Sequence, residues 1–407
     1  MLAAYLSAVA DPAMTRVADA SAGDAGSAGS ASGTAEHQSS ATREASAGEG
    51  VTRQSGEGTA GKEMASKGAA GSSPLDRLAI GQLPEPDLPP GWAMVKMAAA
   101  SLNHHDIWTL QGVSSRPISP PQVLGCDGAG TVVAYGPGPV PATAPPLGSS
   151  VLAYPVISCR ECANCRSGNE LLCRDVALLS EGKYQGTLAE QFPVPAANLV
   201  MLPDTVTPTA AACMGTTYLT AYHMMYDRAR LVPGNTLLIH GATGGVAVAV
   251  MQLAKIGGIS VIATARNEAK RQFALSMGAV LALESDTASA REIQKFTAGG
   301  VDAVMETVGA PTWELSLRSV KPDGIVVVSG ATGGGNPAAM LQRVFWRQIR
   351  IAGSTMGTFQ ELNRLVGLLA RRQLDPLVDS ITPLSVAAGA FAKLYQGQQS
   401  GKLVIIA

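Results

Sequence analysis

The sequence predicts an α/β protein whose second half forms a doubly wound parallel sheet, and three observations carry that expectation. Past about Ala210, apolar runs of strand length alternate with helical segments. A glycine-rich turn separates the first of these strands from the helix that follows it. The chain has 407 residues, 46% of them apolar, so it can bury a substantial core.

Taken in order, "NTLLIHGATGGVAVAVMQLAKIGG" reads as strand, tight turn and helix. "ISVIATA" is the next strand, "NEAKRQFALSMG" a helix, and "VDAVMETV", "GIVVVSG" and "IRIAGS" are further strands. Strands alternating with helices imply parallel βαβ units and therefore a doubly wound sheet. The turn "GATGGV" places Gly241, Thr243, Gly244, Gly245 and Val246 between strand and helix, with Ala247 where a last glycine often stands. A dinucleotide pyrophosphate needs a tight turn, close backbone approach and a helix N-terminus aimed at its charge. An NAD site places an acidic residue at the tip of the second strand to accept from the ribose hydroxyls. This chain reads "ATARNEAK" there, with Thr264, Arg266 and Lys270, and its nearest acid, Glu268, falls inside the next helix. A guanidinium suits a 2′-phosphate, so the expected cofactor is NADP(H).

The stretch "CRECANCRSGNELLC" holds four of the chain's six cysteines, Cys159, Cys162, Cys165 and Cys173. Four thiolates so close can wrap one zinc ion tetrahedrally, leaving no coordination position for water or substrate. The spacing therefore points to a structural zinc, with Arg160, Arg166 and Arg174 offsetting the charge of a zinc tetrathiolate. A redox CxxC pair and a disulfide cluster are the competing readings.

A formal net charge of −1 gives no electrostatic case for nucleic acid or an anionic membrane. No uninterrupted apolar run approaches the roughly eighteen residues of a membrane helix. Cys126 and Cys213, outside the cluster, point with the zinc thiolates to a reducing, cytoplasmic setting. Residues 12–73 are mostly Ala, Ser, Gly and Thr with scattered charges, a composition that cannot offset its ordering entropy by burial. They are expected to be a disordered insertion. A transit peptide is the rival reading, but such segments are poor in acids, and this one carries Asp19, Asp24, Glu36, Glu44, Glu49, Glu57 and Glu63.

The cysteine spacing, "GCDGAGTVVAYG" from Gly125, the "GATGGV" turn and the final "GKLVIIA" together resemble the medium-chain dehydrogenase/reductase superfamily, which includes zinc alcohol dehydrogenases and zinc-free quinone oxidoreductases. The resemblance implies a GroES-like partly open β-barrel domain, split in sequence, that encloses a Rossmann domain. It divides the chain into a first strand (1–11), the low-complexity insertion (12–73), the GroES-like domain (74–216) with its zinc lobe (159–173), the Rossmann domain (217–353) and a C-terminal return (354–407). It further implies a small-molecule substrate, a homodimer or homotetramer, and contact of Thr220 with the nicotinamide.

In this family a separate catalytic zinc is usually held by a Cys, a His and a second Cys. The matching positions here are Asn103, Cys126 and Thr216. A neutral amide and a neutral hydroxyl are not usual zinc ligands, so the chain is expected to keep the structural zinc and lack the catalytic one. A site rearranged around His104 or His105, Cys126 and Asp127 stays open, as does a shifted ligand at Cys213. Without a Lewis acid to stabilise an alkoxide, the easier reaction is hydride delivery to a quinone or an α,β-unsaturated carbonyl. By family position Asn103 and Trp108 face the nicotinamide and substrate, with Asn103 a candidate amide donor. His105 and Asp106 are the candidates for proton delivery, against a structural hydrogen-bonded cluster or water as the donor. A non-enzymatic NADPH-binding regulator is the alternative function.

Overall fold

The computed structural model describes residues 1–7 and 73–407. The expected disordered insertion lies outside the described residues.

The first region is built on strands. β1 (Leu2–Leu6) is the centre of a three-stranded sheet between β2 (Leu78–Gln82) and β4 (Gln122–Val123). The larger sheet runs β10 (Leu199–Met201), β6 (Ser150–Ala153), β5 (Asp127–Tyr135), β3 (Trp92–Ser101), β18 (Lys402–Ile406), β17 (Val378–Pro383), with β9 (Gln191–Pro195) also paired to β3. The last strand of the chain thus returns to the first region, as expected for a domain split in sequence. α1 (His104–Gln111) follows β3, and β7 (Val156–Ile157) pairs with β8 (Ala177–Leu178) around the cysteine lobe, which contains α2 (Ala163–Arg166).

A helical run links the two regions: α3 (Pro208–Ala212), a π-helical turn over Met214–Tyr218, α4 (Leu219–Tyr222) and a second π-helical turn over His223–Arg228. The run is largely buried up to Met225, and its apolar residues share a hydrophobic core with the sheet beyond.

That sheet has six parallel strands in the order β13 (Leu281–Leu283), β12 (Ser260–Thr264), β11 (Thr236–His240), β14 (Val301–Glu306), β15 (Val320–Val328), β16 (Arg350–Gly353). Its helices are α5 (Gly245–Gly257), α6 (Glu268–Ser276), α7 (Ser289–Phe296), α8 (Ala310–Ser319) and α9 (Leu341–Trp346). β11 and β12 are apolar on both faces and buried beyond their first residue, as strands of a helix-covered parallel sheet must be. The sheet order reverses between β11 and β14, so the ligand crevice lies at the C-terminal end of β11. α10 (Phe359–Ala370) and α11 (Ala388–Tyr395) complete the chain. No helix among the described residues is long and apolar enough to cross a membrane.

Candidate active site

The glycine turn begins at the crevice. Gly241 has φ +69°, which L side chains rarely adopt, and its N–H and that of Ala242 both donate to the Thr264 carbonyl. Gly244 caps α5 without a side chain on the first-turn N–H groups, and the first backbone bond of the helix runs from Val248 N–H to the Gly244 carbonyl. The N–H groups of Gly245 and Val246 therefore remain to meet an anion. Thr243 is buried, and its carbonyl accepts from Gly401 N–H at 3.1 Å. The first region's C-terminal strand is in this way clipped to the turn. Thr220 is buried in α4.

At the tip of β12, Arg266 is exposed and has no acidic partner among the described residues. Lys270 donates to the Gly397 carbonyl at 3.0 Å, and burial and then the Arg266 charge lower its pKa. Two cations thus stand close together after the tip of β12. Glu268 is turned toward Gln272 and Arg271, whose hydrogen bonds hold its carboxyl below the ordinary value. Thr264 corrects one expectation. Its side chain is fully buried and pairs with His240 Nδ1 at 2.8 Å, so its hydroxyl is removed from the cofactor set. His240 also reaches Ser316 at 2.8 Å, and Ser316 donates to the buried Glu306 at 2.6 Å. This polar chain under the turn was not foreseen from the sequence, because its members are spread over β11, β12, β14 and α8.

The four cysteine sulfurs lie within 4.8 Å of one another. Cys159 Sγ is 3.9 Å from Cys165 Sγ and 3.4 Å from Cys173 Sγ, bracketing the separation of about 3.8 Å that four zinc–sulfur bonds of 2.3 Å impose. Backbone N–H groups of Cys162 and Asp175 point at Cys159 and Cys173 sulfurs, each at 3.4 Å. Such hydrogen bonds favour the thiolate, and those from Glu161 and Cys162 bring Cys159 down to about 7. The lobe fits one closed structural zinc.

A second cluster, His223, Asp227 and Glu361, does not suit an ion. The imidazole meets Glu361 through Nδ1 at 3.0 Å and Asp227 through Nε2 at 3.7 Å, so it bridges the carboxylates from opposite edges.

Between the glycine turn and the barrel lies a buried polar cluster. Ser101 ends β3 directly opposite Asp127, which begins β5. Asp127 Oδ2 accepts from Asn103 Nδ2 at 2.9 Å and lies 3.0 Å from Ser101 Oγ; Oδ1 accepts from Thr216 Oγ1 at 2.7 Å. The π-helical turn approaches closely only because residue 215 is glycine, since a Cβ there would stand 2.6 Å from Asp127 Oδ1. Lys402, the first residue of β18, completes the group. Its Nζ donates to Asn103 Oδ1 at 2.7 Å, the Leu102 carbonyl at 2.9 Å and Asp127 Oδ2 at 3.3 Å. Lys402 and Asp127 are 2% and 0% exposed, so each charge depends on the other. Sequence reasoning missed Lys402 although it stands in "GKLVIIA"; a lone lysine opening an otherwise apolar strand was the available signal.

This donor set does not fit a catalytic divalent metal. Asn103 and Thr216 are neutral and committed to Asp127, and the centre of the cluster is an ammonium. The Cys126 thiol donates to the Leu179 carbonyl at 3.3 Å, and burial raises its pKa well above the ordinary range. Cys213 is likewise buried, and burial brings it to about 12, so it is a small core residue.

The expected proton donors divide. Asp106 is fully buried, and its two oxygens accept from the N–H groups of Asn103 and Gly125, each at 2.8 Å. Those bonds anchor the start of α1 to the loop before β5 and take Asp106 out of proton delivery. His105 is half-buried, and its Nε2 is a buried nitrogen with no hydrogen-bond partner among the described residues. Asn103 has given both amide hydrogens to Asp127 and the Ser101 carbonyl, so it supports the cluster and has none left for a substrate oxygen. His104 and Trp108 stand together on the outer side of α1, their rings 6.3 Å apart. Surrounding protein and, second, the Lys402 charge lower the His104 pKa. Thr216 is the partly exposed member of the cluster.

Residues 89–204 match the alcohol dehydrogenase GroES-like domain family, and residues 245–371 match the zinc-binding dehydrogenase family. The mouse synaptic vesicle membrane protein VAT-1 homolog is 26% identical over 343 residues, covering 78% of this chain and 77% of its own. An alcohol dehydrogenase of Geobacillus stearothermophilus is 28% identical, covering 81% and 95%. Among solved structures, an NAD-dependent alcohol dehydrogenase superposes with a TM-score of 0.75 at 34% identity, covering 82% of this chain and 96% of that one.

Proposed function

The chain belongs to the medium-chain dehydrogenase/reductase superfamily, and we propose that within it the protein passes hydride from NADPH to a quinone or an α,β-unsaturated carbonyl without a catalytic metal. The observation that supports this reading is the Lys402–Asp127–Asn103–Thr216 cluster, which engages Asn103 and Thr216, two of the positions that the resemblance assigns to metal ligands. An unactivated alcohol needs its proton removed and its oxygen charge stabilised as hydride leaves. The cluster's side chains do not suit a metal that would do this, because its neutral members are committed to Asp127 and its centre is an ammonium. A conjugated acceptor spreads the incoming charge onto an oxygen that hydrogen bonding or water can serve. When bound, the cofactor supplies the hydride; the chain supplies the anion-binding turn at Gly241–Gly245 and the cation pair Arg266 and Lys270. His104 and Trp108 form the polar and aromatic wall available to an acceptor. His105 is the candidate left for hydrogen bonding at the substrate oxygen.

The test is turnover of NADPH with 2-methyl-1,4-naphthoquinone and trans-2-nonenal, against oxidation of ethanol and benzyl alcohol with NADP⁺. Quinone or enal reduction should dominate and persist in a chelator that spares the cysteine lobe. Rapid, chelator-sensitive oxidation of the alcohols would sink the reading.

A further inference from the structure

We propose that Lys402 is the resident cation of the cleft, a covalently tethered charge that assembles and charge-balances a site which relatives organise around a metal. Four separate stretches of chain meet at this one side chain and its counter-ion. β3 and its continuation contribute Ser101, the Leu102 carbonyl and Asn103. β5 contributes Asp127, the π-helical turn contributes Thr216, and β18 contributes Lys402 itself. A metal ion would hold such segments through coordination bonds; here three ammonium hydrogen bonds and one carboxylate do so. All three Nζ donors have acceptors, and Lys402 is 2% exposed, so it touches no substrate and is a positioning residue.

Its reach extends in two directions. The stem lies against the cofactor turn, since a Cβ at Gly245 would sit 3.4 Å from Lys402 Cδ and 2.9 Å from Thr217 Cγ2. The preceding residue, Gly401, donates to the Thr243 carbonyl in that same turn. In the other direction, after burial, its charge is the second cause that lowers the pKa of His104, the first residue of α1. The cation therefore lies between the glycine turn and α1; if an acceptor binds beside α1 as proposed above, it can stabilise negative charge developing there without direct contact.

The inference rests on the reductase reading, and the experiment separates the two. The variant pair is Lys402→Met combined with Asp127→Asn, which removes both charges while keeping volume, and Lys402→Arg, which keeps the charge. With NADPH and 2-methyl-1,4-naphthoquinone, the neutral double variant should lose at least about a hundredfold in kcat. Its NADPH Kd should stay within about threefold, and Lys402→Arg should recover activity to within about tenfold of the unmodified protein. Independently of turnover, His104 should titrate higher in the double variant, by NMR of the ring assigned against His104→Gln. The unmodified protein should hold one zinc per chain, and a Cys162→Ser, Cys165→Ser variant none.

A double variant with undiminished kcat, or an unmoved His104, would overturn the role of the charge. A divalent ion retained in the cleft after loss of the cysteine lobe would overturn the metal replacement, whether or not the variants fold. Absence of turnover by the unmodified protein would instead defeat the reductase reading, and the His104 titration and zinc count would still decide the inference.

Discussion

Arg266 shows how much one side chain at a strand tip decides. It is exposed beside Lys270, while Glu268 is engaged by Gln272 and Arg271. A 2′-phosphate placed there would meet two cations, and a charge-assisted hydrogen bond contributes about 1.5–3 kcal/mol. NADPH should bind at least roughly tenfold more tightly than NADH, and Arg266→Ala should remove most of that difference. Fluorescence titration with both cofactors checks it, and equal affinities in the unmodified protein would reject the assignment. At the same scale, the structure separates residues that resemble catalytic groups from residues free to act. Asp106 has the chemistry of an acid but spends both oxygens on backbone N–H groups, and Thr264 spends its hydroxyl on His240.

Among the elements, the cysteine lobe does more than close on itself. Glu170, within the lobe, accepts from Phe359 N–H at 2.7 Å at the start of α10, and Arg160 reaches the Asn198 side chain at 2.7 Å while lying 5.9 Å from the Phe359 ring centre. Thr358 and Glu361 close a capping box at the same helix start. The lobe and the N-terminus of α10 therefore form one mechanical unit. A structural zinc contributes directly to folding free energy, so Cys165→Ser should lose the zinc and lower Tm by several degrees. Hydrogen exchange should speed up at residues 357–361 as well as in the lobe. Loss of zinc with exchange unchanged at α10 would show that the lobe stabilises only itself.

For the whole molecule, the first strand is the telling element. β1 lies between β2 and β4, with Ala3, Ala4 and Leu6 buried, so its removal strips the centre from a sheet. Deleting residues 1–73 should lower thermal stability clearly. Deleting only 12–73 should leave it nearly unchanged, because that composition cannot build a core. Equal effects from the two deletions, measured by calorimetry, would contradict the place given to β1.

Local patterns in the sequence determined the parallel sheet, the glycine turn, the cation pair after β12 and the zinc lobe. Each depends on residues close together in the chain: the apolar runs of β11 and β12, the spacing from Gly241 to Gly245, and four cysteines within fifteen residues. The resemblance also assigned three positions, Asn103, Cys126 and Thr216, to the usual catalytic ligands. The partners of Asn103 and Thr216 could not be read from the sequence. Lys402 meets Asn103 and Asp127 across 299 and 275 residues, and Thr216 meets Asp127 across 89. No periodicity or spacing links such partners; the return of β18 beside β3 brings Lys402 to them, and the π-helical turn brings Thr216. Burial then decides the chemistry, because an ammonium and a carboxylate shut away from water must find each other, and the side chains around them must turn inward to satisfy both.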